Sequence, residues 1–261
     1  MAKEAAVLMA KMKKIIRAGL LVKEAIYPLG TRYDSPKVRQ GKRKVSSEAQ
    51  KRMNAIYSWQ KLELMLAANF VPGDLVCVLT YDDAHLPDSR KEAVARLKYF
   101  RSKLSAARRK RGQTMVMFWN EEHRHHSPDE LSDGRWHHHC VINATGEDYE
   151  ELRLLWGQGE IHILPLQVDR EKNYESLARY MCKEARDKPG QRSWSYTRNA
   201  RKPEVETIRV PDDTTIQPPH GSMVLEDTSS RTEYGYYRYI KYLDIVPARK
   251  RARRRGKRRK N

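Results

Sequence analysis

The chain has 261 residues, of which 39% are hydrophobic and 33% charged, with a formal net charge of +19. That length suits one large domain, or a domain with a substantial extension, and leaves no run approaching the ~20 apolar residues of a membrane span. So basic a surface favours a polyanionic partner, most simply a nucleic acid.

In chain order, residues 1 to about 26 read as a mildly apolar, lysine-spaced helix rather than a secretory signal. Residues 28–45, with Pro28, Gly30, Pro36 and RQGKRK, read as a basic linker. A long helix follows over 46–70, where Ser46 or Ser47 can cap it and Ile56, Trp59, Leu62 and Leu66 recur at helical spacing. VPGD ends it, and LVCVLTYD (75–82) is β-branched and apolar, a buried strand. Residues 89–112 form a helix with a capping box, Ser89 and Glu92. Its apolar stripe is Ala93, Leu97, Phe100, Leu104 and Ala107, and its other face is Lys and Arg.

Strands are expected at 114–122 and 135–143, joined as a hairpin, then a helix at 148–156, a strand at 160–168 and a helix at 173–186. Residues 192–199 read as a strand, 200–231 mostly as loop, and 232–246 as a last aromatic strand. This order predicts an α+β domain, a central antiparallel sheet with helices packed on it. The C-terminal block carries ten basic residues between Arg249 and Lys260 and reads as a disordered tail. Its removal leaves a net charge of about +9, so the rest is basic too. The expected division is a helical extension with its linker over 1–70, a catalytic domain over 71–246 and the tail over 247–261.

Cys77, Cys140 and Cys182 are far apart and odd in number, which suits a reducing compartment and gives no paired-cysteine zinc pattern. The chemistry gathers around DGRWHHHCVIN, 133–143. On a strand, His137 and His139 share one face and His138 points to the other, so two imidazoles can share one metal ion. His-x-His alone is weak evidence. The preceding strand supplies Glu121 and Glu122, and alternation lets only one of them face the histidines. Two histidines and one carboxylate with open positions suit manganese or magnesium better than structural zinc. Further on, Tyr180 and Lys183 are three apart on a helix, where an ammonium can help a phenol toward phenolate.

In this order VCVLTYD, WHHHCVIN and ARYMCKE resemble the three motifs of the HUH endonucleases, and more narrowly the rolling-circle replication initiators of bacterial plasmids and phages. The resemblance covers roughly residues 40–245. It implies His137 and His139 as metal ligands with Glu122 as the third and Glu121 as the alternative; His138 stands where the family usually has a hydrophobic residue. It further implies Tyr180 as a single-tyrosine nucleophile and Lys183 as the lysine that orients it or neutralises charge. The activity implied is nicking of single-stranded or hairpin origin DNA through a 5′-phosphotyrosyl intermediate, with rejoining later. Host helicase and polymerase would act with it, in the cytoplasm of a bacterial host. Thr80, Tyr81, Arg179, Arg186 and Lys188, and Arg253, Arg254 and Arg255 in the tail, are the candidate DNA contacts. A mobilisation relaxase or single-tyrosine transposase shares the nick-and-join step. A non-catalytic nucleic-acid-binding protein has no reason to carry the His pair, the carboxylate and Tyr-x-x-Lys together.

Overall fold

In the computed structural model the residues described are 11–29, 48–124, 135–170, 173–183, 192–232 and 235–245. Of the linker expected at 28–45 only Pro28 and Leu29 are among them; residues 125–134, expected within the hairpin loop, and the basic tail lie outside. The chain is α+β and divides into two compact units, Lys42–Arg201 and a second built from Met1–Gly41 with Lys202–Asn261.

The Lys42–Arg201 unit holds the motifs. Its elements are α1 (Glu48–Asn69), β3 (Leu75–Leu79), α2 (Arg90–Lys110), β4 (Met117–Arg124), β5 (Arg135–Ile142), α3 (Asp148–Trp156), β6 (Ile161–Pro165), α4 (Glu175–Met181) and β7 (Ser195–Tyr196); β1 and β2 precede them in the other unit. The sheet order is β6-β3-β5-β4-β7 and every pairing is antiparallel. From β3 to β6 the chain runs β-α-β-β-α-β, the split arrangement in which the first and third strands lie side by side at the centre. The histidine strand β5 is therefore central.

Strand alternation sorts the side chains to the two faces. Cys77, Leu79, Met117, Trp119, Cys140 and Ile142 meet Leu97, Phe100 and Leu104 of α2 and Leu152 and Trp156 of α3. Phe118 and Val141, on the opposite face, meet Leu62, Met65 and Leu66 of α1 and Ala178 and Met181 of α4. Each fully buried leucine contributes roughly 1.5–3 kcal/mol, so either helix layer is firmly attached. Of the stripe expected on α2, Ala93, Leu97, Phe100 and Leu104 are buried, and in the last turn Arg108 is fully buried where Ala107 is expected. Its guanidinium bonds Asp148 at 2.7 Å and the Asn143 carbonyl at 2.8 Å, while its buried Nε has no hydrogen-bond partner among the described residues. Ser89 caps α2 by accepting from the Glu92 N–H, and the Glu92 carboxylate reaches back to Asp88 N–H.

At the motif end of the sheet, Gly159 (φ 152°) is demanded by close approach: a Cβ there would lie 2.6 Å from the Thr80 carbonyl and from the Asp82 nitrogen. That contact lets the loop before β6 bond to the end of β3, Asp82 N–H to Gln158 and Thr80 N–H to Glu160.

The other unit corrects two expectations. Where a helix is expected over 1–26, the described residues form a hairpin of β1 (Lys11–Ala18) and β2 (Leu21–Pro28). Gly19 turns it with φ 57°. Where loop is expected over 200–231, β8 (Glu204–Val210) and β9 (Met223–Thr232) form, and β9 pairs with the expected aromatic strand β10 (Gly235–Leu243). The five strands make one antiparallel sheet in the order β8-β1-β2-β10-β9, around Ile15, Val22, Ile26, Ile216, Ile240 and Tyr242. Strands from residues 11–28 and 204–243 thus share one sheet, and α1 groups with the motif-bearing unit instead of with an N-terminal extension. The physical reason is pairing: β2 has β1 on one side and β10 on the other. An isolated lysine-rich helix would bury none of Ile15, Val22 or Ile26.

Candidate metal and tyrosine centre

The β4–β5 register places Glu122 directly opposite His137, Glu121 opposite His138 and Asn120 opposite His139. Directly opposed residues share a face, so Glu122, His137 and His139 lie together on the α4 side. Nε2 of His139 is 2.7 Å and Nε2 of His137 is 3.2 Å from the same oxygen, Oε2 of Glu122. Nδ1 of His137 lies 3.4 Å from the Arg135 carbonyl, a partner suited to leaving the Nε2 lone pair for the site.

One ligand atom from each of the three residues falls within 4.8 Å of the others, and the cluster is buried enough to hold a metal ion. Two imidazole nitrogens and one carboxylate oxygen are chemically apt donors for a divalent cation. Glu121, the alternative ligand, is excluded by the register. It faces the opposite side, where Arg90 pairs with it at 2.8 Å.

His138 is a core residue. It is 0% exposed, its Nε2 is 2.8 Å from the Tyr81 hydroxyl, and burial holds it neutral, down at about 3. Tyr81 is correspondingly spent on packing: its ring is buried beside Trp156 and Arg96 lies over it. Its side chain is thus buried instead of exposed. Thr80 is half-buried and gives its hydroxyl to the Glu160 carbonyl at 3.1 Å.

Tyr180 comes to the cluster from α4. Its hydroxyl is 3.5 Å from Nε2 of His139, with the two rings edge-on at 4.9 Å, and it remains 42% exposed. Lys183 falls just past the helix end instead of within the expected helix, its N–H reaching back to the Tyr180 carbonyl. From there its ammonium bonds Oε1 of Glu122 at 3.0 Å and lies 4.4 Å from the centre of the Tyr180 ring. Tyr174 is buried, with its hydroxyl on the Phe70 carbonyl, and burial raises it to about 12. Among the described tyrosines of α4 and its cap, Tyr180 is the one presented to the site.

The electrostatics follow from these contacts. Burial pushes the Glu122 carboxyl up, but hydrogen bonds from Lys183 and His139 and the charges of the two histidines outweigh it, holding it at about 2. Burial pushes His139 down to about 4, against the pull of Glu122, so at neutral pH it is an uncharged imidazole fit to ligate.

Of the candidate DNA contacts, Arg179 is on the surface, ion-paired to Glu175 and stacked 3.9 Å over Trp59. Arg186, Lys188, Arg253, Arg254 and Arg255 lie outside the described residues. One residue escapes a motif search: Asn120, two positions before Glu122 on the same face, whose side chain bonds α4. Alternation from Glu122 is the signal that finds it.

No family model, no curated protein and no solved structure matches the chain. No helix among the described residues is long and apolar enough to cross a membrane.

Proposed function

We propose that this chain is an HUH-type nickase that initiates rolling-circle replication of a bacterial plasmid or phage element. Its substrate on this reading is single-stranded or hairpin-extruded origin DNA. One observation carries the reading: a partly exposed phenol, Tyr180, stands 3.5 Å from a histidine nitrogen that also meets a buried carboxylate. A structural zinc site or a binding platform has no need of a tyrosine so placed.

A divalent ion, manganese or magnesium, held by His137, His139 and Glu122 would polarise the scissile phosphate. The chain's own residues do the rest. Glu122 keeps its charge at any physiological pH and so presents an anionic ligand. Lys183 fixes the other oxygen of that carboxylate and places a positive charge beside the phenol. Tyr180 attacks phosphorus in line; a phenol-oxygen–phosphorus bond forms as the bond from phosphorus to the 3′ oxygen breaks. The phenol loses its proton and the departing 3′ oxygen gains one. A 5′-phosphotyrosine and a free 3′-OH result, the first conserving the bond energy for rejoining and the second priming a host polymerase. Unwinding falls to a host helicase, since the sequence has no Walker A pattern.

The test is a denaturing gel of the full chain incubated with single-stranded DNA of the element that encodes it. A manganese- or magnesium-dependent covalent adduct, lost in EDTA, is expected. Cleavage at full rate in EDTA, or cleavage without an adduct, would overturn the reading.

A further inference from the structure

The tyrosine helix is only seven residues long; Ala178 and Met181 anchor its apolar side, and at its N-terminal end the Tyr174 hydroxyl bonds the Phe70 carbonyl. The helix ends at Met181, so no described residue continues it to take up the Met181 carbonyl through a helical bond. Asn120 supplies one. Its Nδ2 donates to the Met181 carbonyl at 2.9 Å, a bond between residues 61 positions apart. A carbonyl acceptor fixes which end of the amide faces the helix, because an amide oxygen there would repel it.

Asn120 is 3% exposed and belongs to β4. It is directly opposite His139 and two residues before Glu122, on the same face as both. Its other end, Oδ1, is buried with no hydrogen-bond partner among the described residues. A buried amide that leaves its acceptor unused costs stability, so the residue is better explained by its donor than by its packing. One rigid side chain thus joins the strand pair bearing the ligands to the residue that follows Tyr180.

The geometry points to Asn120 as a positioning residue that sets the distance between the Tyr180 phenol and the His137, His139 and Glu122 cluster. Among the described residues its amide hydrogen-bonds neither a ligand atom nor the phenol; it acts through the Met181 backbone. The inference rests on the nickase reading for its consequence, though not for the contact itself. A phenol misplaced by about 1 Å costs about 100-fold in rate.

The variant is Asn120→Leu, similar in shape and lacking both polar atoms, with Asn120→Ala as the second should the first not fold. Three measurements are made on the full chain: manganese affinity by calorimetry, steady-state adduct formation on single-stranded DNA, and the fluorine spectrum of 3-fluorotyrosine placed at position 180. Manganese affinity and KM are expected to be unchanged while kcat falls by about 10- to 100-fold. The fluorine resonance, shifted in the parent by the His139 ring 4.9 Å away, is expected to move. An unchanged resonance with unchanged kcat overturns the inference. A fall in manganese affinity that matches the fall in kcat also overturns it, since Asn120 would then support the ligands alone. Absence of any adduct in the parent would sink the nickase reading, and the fluorine spectra would still decide what Asn120 holds.

Discussion

Replacing Glu122 by glutamine keeps the volume of the side chain and removes one charge from the centre of the cluster. In the folded chain that carboxyl is held at about 2 instead of the ordinary 4.5, with Lys183 at 3.0 Å and His139 at 2.7 Å. The gap is worth about 3 kcal/mol in favour of the ionised folded state at neutral pH. The side chain is nearly fully buried, so solvent screening takes little from that figure. Because the folded value lies below the unfolded one, the stabilisation is complete above about pH 4.5 and is lost as the pH falls through about 2. By the same relation it shrinks to about 1 kcal/mol at pH 3. The assay is urea unfolding of parent and Glu122→Gln in EDTA at pH 7 and pH 3. With a slope of roughly 2 kcal/mol/M, the variant's midpoint is expected roughly 1.5 M lower at pH 7, with the difference more than halved at pH 3. Equal midpoints at pH 7, or a difference that persists undiminished at pH 3, would refute the electrostatic reasoning.

Further outcomes follow from other contacts. His137→Ala and His139→Ala should each abolish manganese-dependent thermal stabilisation and adduct formation; a melting point still raised by manganese in both variants would remove them as ligands. Arg108→Met leaves Asp148 buried without its guanidinium and should cost about 3–5 kcal/mol in unfolding free energy, and a cost below about 1 would show that the pair is not a stabilising one. Deleting residues 249–261 removes ten basic side chains. It should weaken DNA binding and flatten the dependence of log affinity on log salt by up to about 7, at about 0.7 per phosphate contact on a single strand. Cleavage at saturating DNA should be untouched, and its loss would give the tail a role in chemistry.

The site was legible because strand alternation is a strict geometric rule. It separates His137 and His139 from His138 before any coordinates exist, and the cross-strand register chooses Glu122 over Glu121. The opposite face then explains the polar residue at position 138, which hydrogen-bonds the buried Tyr81 hydroxyl. Legibility failed where local propensity and tertiary pairing disagree. MAKEAAVLMAKMKKIIRA is made of strong helix formers, yet strand β1 forms within it because β2 and β8 flank it. The clue was Gly19 between two runs carrying Ile15, Ile16, Val22 and Ile26, a hairpin signal that the lysine spacing masked. In the same way EVETIRV carries four β-branched residues, Val205, Thr207, Ile208 and Val210, amid loop-like neighbours, and it becomes an edge strand only because β1 offers a partner. Lys183 lies beyond the helix that periodicity assigned to it, since α4 ends at Met181, and that is what turns its ammonium onto Glu122.

The central claim is that the Tyr180 oxygen attacks the scissile phosphate. Its most direct test is mass spectrometry of proteolytic peptides from the chain trapped on single-stranded DNA with manganese. The peptide containing Tyr180 is expected to carry the 5′-nucleotide, and Tyr180→Phe, which removes one hydroxyl from a side chain 42% exposed, is expected to fold normally and form no adduct. An adduct on any other residue, or one that persists in Tyr180→Phe, would contradict it.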